Sequence, residues 1–308
     1  MENNLSDIIK QKAVAIDAII DGFLPAEEGP AKTVMTAMNY SIHVGGKRLR
    51  PMLMLETFRM FNGADERIVH PFMAAIEMIH TYSLCHDDLP AMDNDDMRRG
   101  MKSTHAKFGE AMGILAGDAL LNYAFETALK SYDHAADAVQ MRRINRALRV
   151  LAEKAGIYGM IAGQVADIES ENRPAGEVTM DMIRFIHKNK TAAMIESSMM
   201  TGAILAGASD SEIKTVEQIG SDIGLAFQIV DDILDVTGND EILGKPTGSD
   251  DKNNKTTYVS LVGLDKAGAD VRKVSQRAVD SLQSLPGADT ESGRFLADLI
   301  GYLVVRDR

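Results

Sequence analysis

Two clusters of aspartate residues are the features of this chain whose types and spacing most suggest chemistry. The first lies in HDDLPAMDNDDMRRG, residues 86–100, and the second is DDILD, residues 231–235. Carboxylates placed this close together repel one another, so they require solvent or a positive partner. Clustered carboxylate oxygens suit a hard cation such as Mg²⁺, which binds one or two carboxylates together with phosphate oxygens and water.

The second cluster lies near the end of a long, mostly apolar helix predicted over residues 211–237. Asp231, Asp232 and Asp235 occupy positions i, i+1 and i+4, which fall within an arc of about 100° on a helix. The partial negative charge at a helix C-terminus also favours a cation. These three side chains are therefore predicted metal ligands.

The first cluster follows the end of another apolar helix. Asp87 and Asp88 end this helix, and Pro90 interrupts it because a helix does not easily run through proline. Asp93 lies six residues beyond Asp87, off its face in a continuous helix, so a bulge at LPAM is needed to return it beside Asp87. The next two aspartates, Asp95 and Asp96, are then surplus and are predicted to be solvated.

A solvated acidic patch is the alternative for each cluster. For one cluster solvation is the better interpretation, but two clusters that each follow an apolar helix favour a cation. An EF-hand does not fit, because DNDDMRRGMKST lacks glycine at its sixth position and glutamate at its twelfth. Zinc is not expected, because the spacing offers no set of His and Cys ligands.

Basic residues accompany both clusters. Arg98 and Arg99 directly follow the first, and Lys190 is predicted to open the helix KTAAMIE, where free N–H groups favour an anion. The glycine loop GGKRLRP and the loop after the second cluster add Lys47, Arg48, Arg50, Lys245 and Lys255. Each residue alone is most simply a solvated surface group. As a set with metal ions they match a diphosphate, through charge neutralisation and forked hydrogen bonds.

The elements that must carry these residues are predicted to be helices. Ala, Met, Leu and Ile recur, proline is scarce at 8 and tryptophan is absent, a composition that favours helix over strand. Helical periodicity runs through roughly a dozen segments, and no strand-like alternation persists. We expect a single all-α domain over residues 1–308. Residues 71–86 and 109–130 carry few charges and are expected to be buried in its interior.

Charge and composition narrow the class of function. The 33 basic and 45 acidic residues give 33 − 45 = −12, so no nucleic-acid partner is expected. A single cysteine, Cys85, excludes an internal disulfide. MENNLSDIIK has no secretory apolar core, and apolar runs such as LIGYLVV are far shorter than the ~20 residues of a membrane-spanning helix. A cytoplasmic protein without a membrane span is expected.

Taken in order, the motifs resemble those of the trans-isoprenyl diphosphate synthases, the trans-prenyltransferases. They are GGKRLRP, DDLPAMD, RRG, GQVAD, KTAA, FQIVDDILD and a lysine-containing loop. The resemblance covers nearly the whole chain, and the paired aspartate motifs are its most specific part. It implies an all-α bundle of the isoprenoid synthase type around a deep central cavity, usually as a homodimer. The spacing of DDLPAMD resembles the longer, bacterial form of the first motif.

The resemblance also implies a role for each matched residue. Three Mg²⁺ ions, with Mn²⁺ as a substitute, are expected to bridge an allylic diphosphate to Asp87, Asp88, Asp93, Asp231, Asp232 and Asp235. The residues expected to assist in holding that diphosphate are Arg98, Lys190, Thr191, Gln228, Lys245 and Lys255. A metal-free site for isopentenyl diphosphate is expected at Lys47, Arg50, His80 and Arg99. Without the resemblance, His80 is simply a core histidine.

The implied reaction is the head-to-tail condensation of isopentenyl diphosphate with dimethylallyl or geranyl diphosphate, which gives farnesyl diphosphate and pyrophosphate. Cleavage of the allylic C–O bond leaves a carbocation, and metal ions and cationic side chains stabilise the charge on the leaving group. A closed cavity keeps water from the carbocation. The isopentenyl double bond attacks, and the departing pyrophosphate is the expected base, so no protein nucleophile is needed.

Product length is expected to depend on the residues just before the first motif, which in this family floor the product cavity. Here they are Tyr82 and Ser83, five and four positions before Asp87. Five residues are ~7.5 Å of helix, the depth of an additional prenyl unit. The bulky Tyr82 is therefore expected to stop the product at C15. The alternative is that Tyr82 is a core aromatic and Met112 or Leu115 sets the floor.

Other functions stay open at this point. A geranylgeranyl diphosphate synthase differs in product length alone. Terpene cyclases tend to replace the second motif with an Asn/Ser/Glu triad, and non-catalytic regulatory subunits tend to lose one motif, whereas both are complete here. The chain departs from the family pattern at Ala162, Ala192 and Val259, none of which is a predicted ligand. The terminal Arg306 and Arg308 either close over the isopentenyl site or form a solvated tail.

Overall fold

The computed structural model describes residues 2–171, 173–174, 176–237 and 256–305. Within these ranges its α-helices are α1 (Glu2–Asp21), α2 (Lys32–His43), α3 (Leu49–Met60), α4 (His70–Asp87), α5 (Thr104–Phe108), α6 (Glu110–Leu129), α7 (Ala138–Ala155), α8 (Met160–Glu171), α9 (Met180–Ile186), α10 (Ala193–Ala206), α11 (Asp210–Thr237), α12 (Tyr258–Val262), α13 (Leu264–Gln283) and α14 (Glu291–Val305). Short 3₁₀ helices span Glu66–Ile68 and Lys130–His134, and a π-helical segment, His187–Ala192, joins α9 to α10. The predicted all-α class is confirmed.

A small β-hairpin interrupts the helices directly after the first aspartate cluster. β1 (Met97–Arg98) pairs antiparallel with β2 (Met101–Lys102), and strands this short agree with the expectation that no strand-like alternation persists. Arg99 and Gly100 form its two-residue turn, with φ of +52° and +77°. A two-residue hairpin turn of type I′ requires positive φ at both central positions. Strands of two residues are too short to show the alternation on which a sequence-based prediction depends.

Prolines lie in the first turn of two helices. Pro71 lies in the first turn of α4, where its missing N–H has no helical partner to lose. Pro51 is the third residue of α3, in an equally tolerant position. The loop predicted over GGKRLRP is therefore shorter than expected, and Arg50 lies on a helix rather than in the loop.

The chain forms two compact units, and the first comprises Asn3–Leu55 and Asp65–Leu148. In this unit α4 is buried along most of its length and packs against α6 and α2. Gly117 on α6 permits a close approach of α4, because a Cβ there would lie 2.2 Å from His86 Nε2. The end of α4, which carries Asp87, is thereby fixed against α6.

The second unit comprises Glu56–Ala64 and Arg149–Arg308. In its described part, α11 packs against α10 and α13, and the π-helical segment packs against α8 and α11. Two of these approaches depend on glycine. A Cβ at Gly163 on α8 would lie 2.1 Å from the backbone nitrogen of Lys190, and one at Gly224 on α11 would lie 2.3 Å from Ala192 Cβ.

The π-helical segment corrects the prediction for Lys190. Lys190 was expected to open a separate helix, KTAAMIE. The backbone instead runs from α9 through the π-helical segment into α10 without a break. Lys190 therefore has no helix N-terminus beside it, and any affinity for an anion must come from its ammonium group. Single π-helical turns often occur at functional sites.

No helix in the described part of the chain is long and apolar enough to cross a membrane. The organisation of residues 1–308 as one domain and the deep central cavity stay predictions.

Candidate active site

The loop after α4 returns Asp93 to Asp87, as the sequence predicted. The Asp93 N–H donates to the Asp87 carbonyl at 2.9 Å, and the Asp95 N–H donates to the Asp88 carbonyl at 3.2 Å. These bonds span six and seven residues, so the chain between them forms the expected bulge around Pro90. The prediction that this bulge brings Asp93 beside Asp87 is confirmed at the level of the backbone.

Leu89 anchors this loop from within. Its side chain is 8% exposed, and its carbonyl accepts hydrogen bonds from the N–H groups of Met92 and Asn94. Gly113 on α6 provides the space, because a Cβ there would lie 3.2 Å from a Leu89 methyl group. An apolar anchor at the centre of DDLPAMD holds the acidic residues at its two ends in fixed positions.

Asp88 is bound by Arg98 from the hairpin. Arg98 Nε donates to Asp88 Oδ1 at 3.0 Å, and Nη2 donates to the same oxygen. Burial raises the pKa of Asp88, and Arg98 only partly opposes this effect. For Arg98, burial lowers the pKa but the bond to Asp88 outweighs it, so its pKa is raised. Charge-assisted forked bonds of this kind orient both partners.

The two surplus aspartates remain at the surface, as expected. Asp95 is 56% exposed and lies 3.9 Å from an Arg98 nitrogen. Asp96 is 84% exposed, with an oxygen 3.5 Å from His105 Nε2.

The donor set of both motifs fits a hard cation, since every candidate ligand is a carboxylate. Among the described residues, however, no group of three or more His, Cys, Asp or Glu side chains is arranged as a ready metal site. In the first motif, Asp88 is instead bonded to Arg98.

A group of basic side chains lies in the same unit, and we call Arg50, Arg99 and His80 the basic group. Arg50 Nε is buried and has no hydrogen-bond partner among the described residues. Burial lowers the pKa of Arg50, and the positive charge of Arg99 lowers it further. A buried, unpaired guanidinium N–H beside a second arginine is a site prepared for an anion.

The hairpin turn directs Arg99 towards the glycine loop. A Cβ on Gly46 would lie 2.7 Å from Arg99 Nη1, and Gly46 itself has a φ of +152°. Only glycine combines this backbone conformation with the space that Arg99 occupies. Lys47 is exposed on the same loop. Arg98 and Arg99 are adjacent in sequence but differ in their contacts. Arg98 bonds the acidic loop, whereas Arg99 belongs to the basic group.

The second motif occupies the last turns of α11. The Tyr258 N–H donates to Asp232 Oδ2 at 2.8 Å, and His187 Nε2 lies 3.8 Å from the same oxygen. Gln228 Nε2 lies 3.4 Å from Asp231 Oδ2, at the long end of hydrogen-bond range. Asp235 is buried, at 5% exposure. The predicted one-sided arrangement on a helix is confirmed by the helical backbone of residues 231–235.

Lys190 is held by an aspartate that the ligand prediction did not include. Its Nζ donates to Asp167 Oδ2 at 2.6 Å, and Asp167 is 4% exposed on α8. Thr191 is half-buried beside it. Asp167 is the last residue of the motif GQVAD, and its place in that motif is the sequence signal that could have identified it. Lys245, Lys255, Arg306 and Arg308 lie outside the described residues.

Tyr82 is 6% exposed on α4, and its ring packs edge-on against the His86 ring with centroids 5.7 Å apart. Burial, with a smaller contribution from Asp87, raises the pKa of Tyr82 to about 12. Ser83 donates its hydroxyl to the His80 carbonyl at 2.8 Å. Of the alternative floor residues, Met112 is half-buried and Leu115 is 48% exposed.

His80 generates a prediction for stability against pH. Burial, then the charges of Arg50 and Arg99, lower its pKa well below the ordinary 6.5. The unfolded chain takes up a proton as pH falls through about 6.5 while the native chain does not, so native stability falls with pH. Between about pH 7.5 and about pH 5.5, wild type should lose up to about 1.4 kcal/mol more unfolding free energy than His80→Gln. Urea unfolding at several pH values measures the unfolding free energy of both proteins. Equal losses in wild type and His80→Gln over this pH range contradict the prediction.

Comparison with known proteins agrees with this geometry. Residues 31–285 match the family model described as polyprenyl synthetase. A farnesyl diphosphate synthase of Geobacillus stearothermophilus is 42% identical, over 99% of this chain and 98% of that protein. A heterodimeric geranylgeranyl pyrophosphate synthase large subunit 1 of Arabidopsis thaliana is 42% identical, over 96% of this chain and 77% of that protein.

A solved structure shares the fold. The crystal structure of a geranyltransferase from Helicobacter pylori, complexed with magnesium and isoprenyl diphosphate, superposes with a TM-score of 0.82 at 31% identity, covering 96% of each chain. The motif order, the aspartate loop, the basic group and the family match agree, and the chain belongs to the polyprenyl synthetase family of prenyltransferases.

Proposed function

We propose that this chain is a farnesyl diphosphate synthase, which condenses isopentenyl diphosphate with dimethylallyl and then geranyl diphosphate. The single observation that carries the proposal is the division of charge in the first unit. An acidic loop is suited to a diphosphate that arrives with metal, and a basic group with a buried unpaired N–H is suited to one that arrives without. The two reactants of a prenyl condensation differ in this respect.

In this proposal the acidic residues hold magnesium. The first motif supplies Asp87, Asp88 and Asp93, and the second supplies Asp231, Asp232 and Asp235. Bound magnesium neutralises the charge that develops on the leaving pyrophosphate. Support comes from the all-carboxylate donor set and from the similar geranyltransferase of Helicobacter pylori, whose crystal structure contains magnesium. Three ions per site, and replacement by Mn²⁺, belong to the same proposal.

The protein's own cations complete the grip on the allylic diphosphate. Arg98 can exchange its bond with Asp88 for one with a phosphate oxygen once a cation takes the carboxylate. Lys190 Nζ donates to Asp167 Oδ2 at 2.6 Å, and this bond directs its ammonium group. Thr191 and Gln228 are proposed to assist, as are Lys245 and Lys255.

Isopentenyl diphosphate is assigned to Lys47, Arg50, His80 and Arg99. The C1–O bond of the allylic partner breaks, its C1 bonds to C4 of isopentenyl diphosphate, and a proton leaves C2 of the latter. The departing pyrophosphate carries off both the electron pair of the broken bond and this proton. A neutral His80 suits this site, because it can donate one N–H to a phosphate oxygen without adding a further buried charge.

The C15 product is favoured over C20 by the buried ring of Tyr82, five residues before Asp87. Both farnesyl and geranylgeranyl synthases occur among the similar proteins, so a geranylgeranyl product is the second candidate. We assign Tyr82 and Ser83 to the floor of the product site. A regulatory role is less favoured, because neither motif has lost an aspartate.

A homodimer and a cytoplasmic location belong to the proposal as well. α6 carries exposed apolar side chains, Ile114 at 41%, Leu115 at 48% and Leu129 at 51%, and a second copy could cover them. Cys85 is a buried free thiol, which suits a reducing compartment. Sedimentation equilibrium that gives the mass of one chain contradicts the dimer, and recovery in the membrane or periplasmic fraction contradicts the location.

The condensation assay tests the function, and two aspartates of one loop make it specific. Purified protein with Mg²⁺, dimethylallyl diphosphate and radiolabelled isopentenyl diphosphate should form acid-labile allylic products. Asp93→Asn should lower kcat by about 10²–10³-fold, because charge stabilisation at the leaving group is lost. Asp96→Asn is the matched control, exposed in the same segment, and should change kcat by less than about threefold. Absence of condensation by wild type, or equal losses in the two variants, would falsify the assignment.

Product length tests the role of Tyr82. Tyr82→Ala removes a buried ring and should shift the product from C15 towards C20 and longer chains, because the ring no longer blocks the ~7.5 Å of depth that an additional prenyl unit needs. Chromatography of the dephosphorylated products measures the shift. Tyr132→Ala removes a half-buried ring elsewhere in the same unit and should leave C15 dominant. An unchanged product spectrum in Tyr82→Ala means that another residue sets the floor.

A further inference from the structure

Arg48 stands between two residues assigned to the isopentenyl diphosphate site, Lys47 and Arg50, yet its side chain turns inward. Its side chain is 3% exposed, and its φ of +49° places it in the left-handed region that non-glycine residues seldom adopt. Such a conformation persists when surrounding contacts determine it. The contacts of the Arg48 side chain must therefore offset the free-energy cost of this backbone conformation.

All three guanidinium nitrogens of Arg48 bond to protein acceptors on three different helices. Nε donates to Asp17 Oδ1 on α1 at 2.6 Å, and Nη1 donates to Glu77 Oε1 on α4 at 2.7 Å. Nη2 donates to the Ile42 carbonyl in the last turn of α2 at 2.7 Å. Burial lowers the pKa of Arg48, but Glu77 and Asp17 outweigh it and raise the value. Arg48 is thus committed to the protein rather than available to a substrate.

These bonds fix the loop on which the basic group depends. Gly45 and Gly46 precede Arg48 with φ of +93° and +152°, so the loop has little rigidity of its own. The hydrogen bonds of Arg48, directly after these glycines, hold the end of the loop in place. Because the Arg99 guanidinium lies against Gly46, at 2.7 Å from a Cβ placed there, a shift of the loop moves the place of Arg99 as well.

Glu77 links this network to the charge of the site. It is 3% exposed and lies one turn before His80 on α4. Its negative charge acts on Arg50 and on Arg99 as well as on Arg48. One buried carboxylate thereby permits three arginines to lie close together, while its direct bond goes to Arg48 and leaves the Arg50 Nε unpaired.

We propose that Arg48 is a positioning residue for the metal-free diphosphate site: its bonds to Asp17, Glu77 and the Ile42 carbonyl hold the GGKRLRP loop so that Lys47, Arg50 and Arg99 converge on isopentenyl diphosphate. This inference rests on the proposed function. Arg48 itself does not touch the substrate.

Arg48→Lys tests the proposal, because lysine keeps the charge but cannot reach three acceptors with a planar fork. We expect the KM for isopentenyl diphosphate to rise about tenfold, since a small displacement of binding groups weakens a site strongly. The KM for geranyl diphosphate should stay within about twofold and kcat within about threefold, because the acidic loop is unaffected. Loss of rigidity spread over the whole protein would raise both KM values together, which overturns the proposal.

Arg277→Lys is the matched control. Arg277 bonds the buried Asp222 through Nε at 2.7 Å and Nη2 at 2.5 Å, in the second unit. The substitution is the same and also breaks a fork to a buried carboxylate, so it should lower the melting temperature without changing the KM for isopentenyl diphosphate. An equal rise of that KM in Arg277→Lys and Arg48→Lys overturns the positioning role.

A milder variant keeps the test decisive if Arg48→Lys does not fold. Asp17 is 45% exposed, so Asp17→Asn should fold, and we expect the KM for isopentenyl diphosphate alone to rise about threefold as one charged bond weakens. A wild-type KM in a folded Asp17→Asn then overturns the proposal. Wild-type activity separates the two levels: inactive wild type refutes the proposed function, whereas active wild type with unaltered variants refutes this inference alone.

Discussion

The bond between Arg98 and Asp88 is the interaction on which the first unit of this protein depends. It joins a loop that gathers negative charge to a hairpin that carries positive charge. The Asp88 side chain is 3% exposed and that of Arg98 is 29% exposed, so the loss of Arg98 would leave a buried carboxylate without this partner. The pair makes a ligand-free acidic loop compatible with a folded core. In the proposed function, this is also the pair that a cation and an anionic substrate would have to separate.

The same constraint explains why charge in this unit is sorted rather than mixed. Asp88 takes Arg98, and Glu77 with Asp17 takes Arg48, which leaves Arg50 and Arg99 as cations without a direct carboxylate bond among those described. In the proposed function, one diphosphate is then bound by arginine alone, and the other by carboxylate with metal. Condensation of two diphosphates requires this distinction, because only one of them must lose its leaving group.

Much of this arrangement could be predicted from sequence. The helices follow from apolar periodicity, and the bulge that returns Asp93 follows from Pro90 and a spacing that no straight helix accommodates. The hairpin at residues 97–102 could not, since two-residue strands carry no periodic pattern. The π-helical turn around Lys190 could not either: it lies against α8 and α11 at Gly163 and Gly224, and these contacts are distant in sequence. The inward turn of Arg48 depends on carboxylates 31 and 29 residues away, beyond any local signal.

The central claim is that one diphosphate is bound through metal and the other without it. Isothermal titration calorimetry of the wild-type protein, with Mg²⁺ and with excess chelator, tests this most directly. Isopentenyl diphosphate should bind with dissociation constants that agree within about twofold in the two buffers. Geranyl thiolodiphosphate, an allylic analogue that ionises poorly, should bind in Mg²⁺ and lose at least about a hundredfold in affinity in chelator. Equal dependence of both ligands on Mg²⁺, or independence of both, contradicts the account.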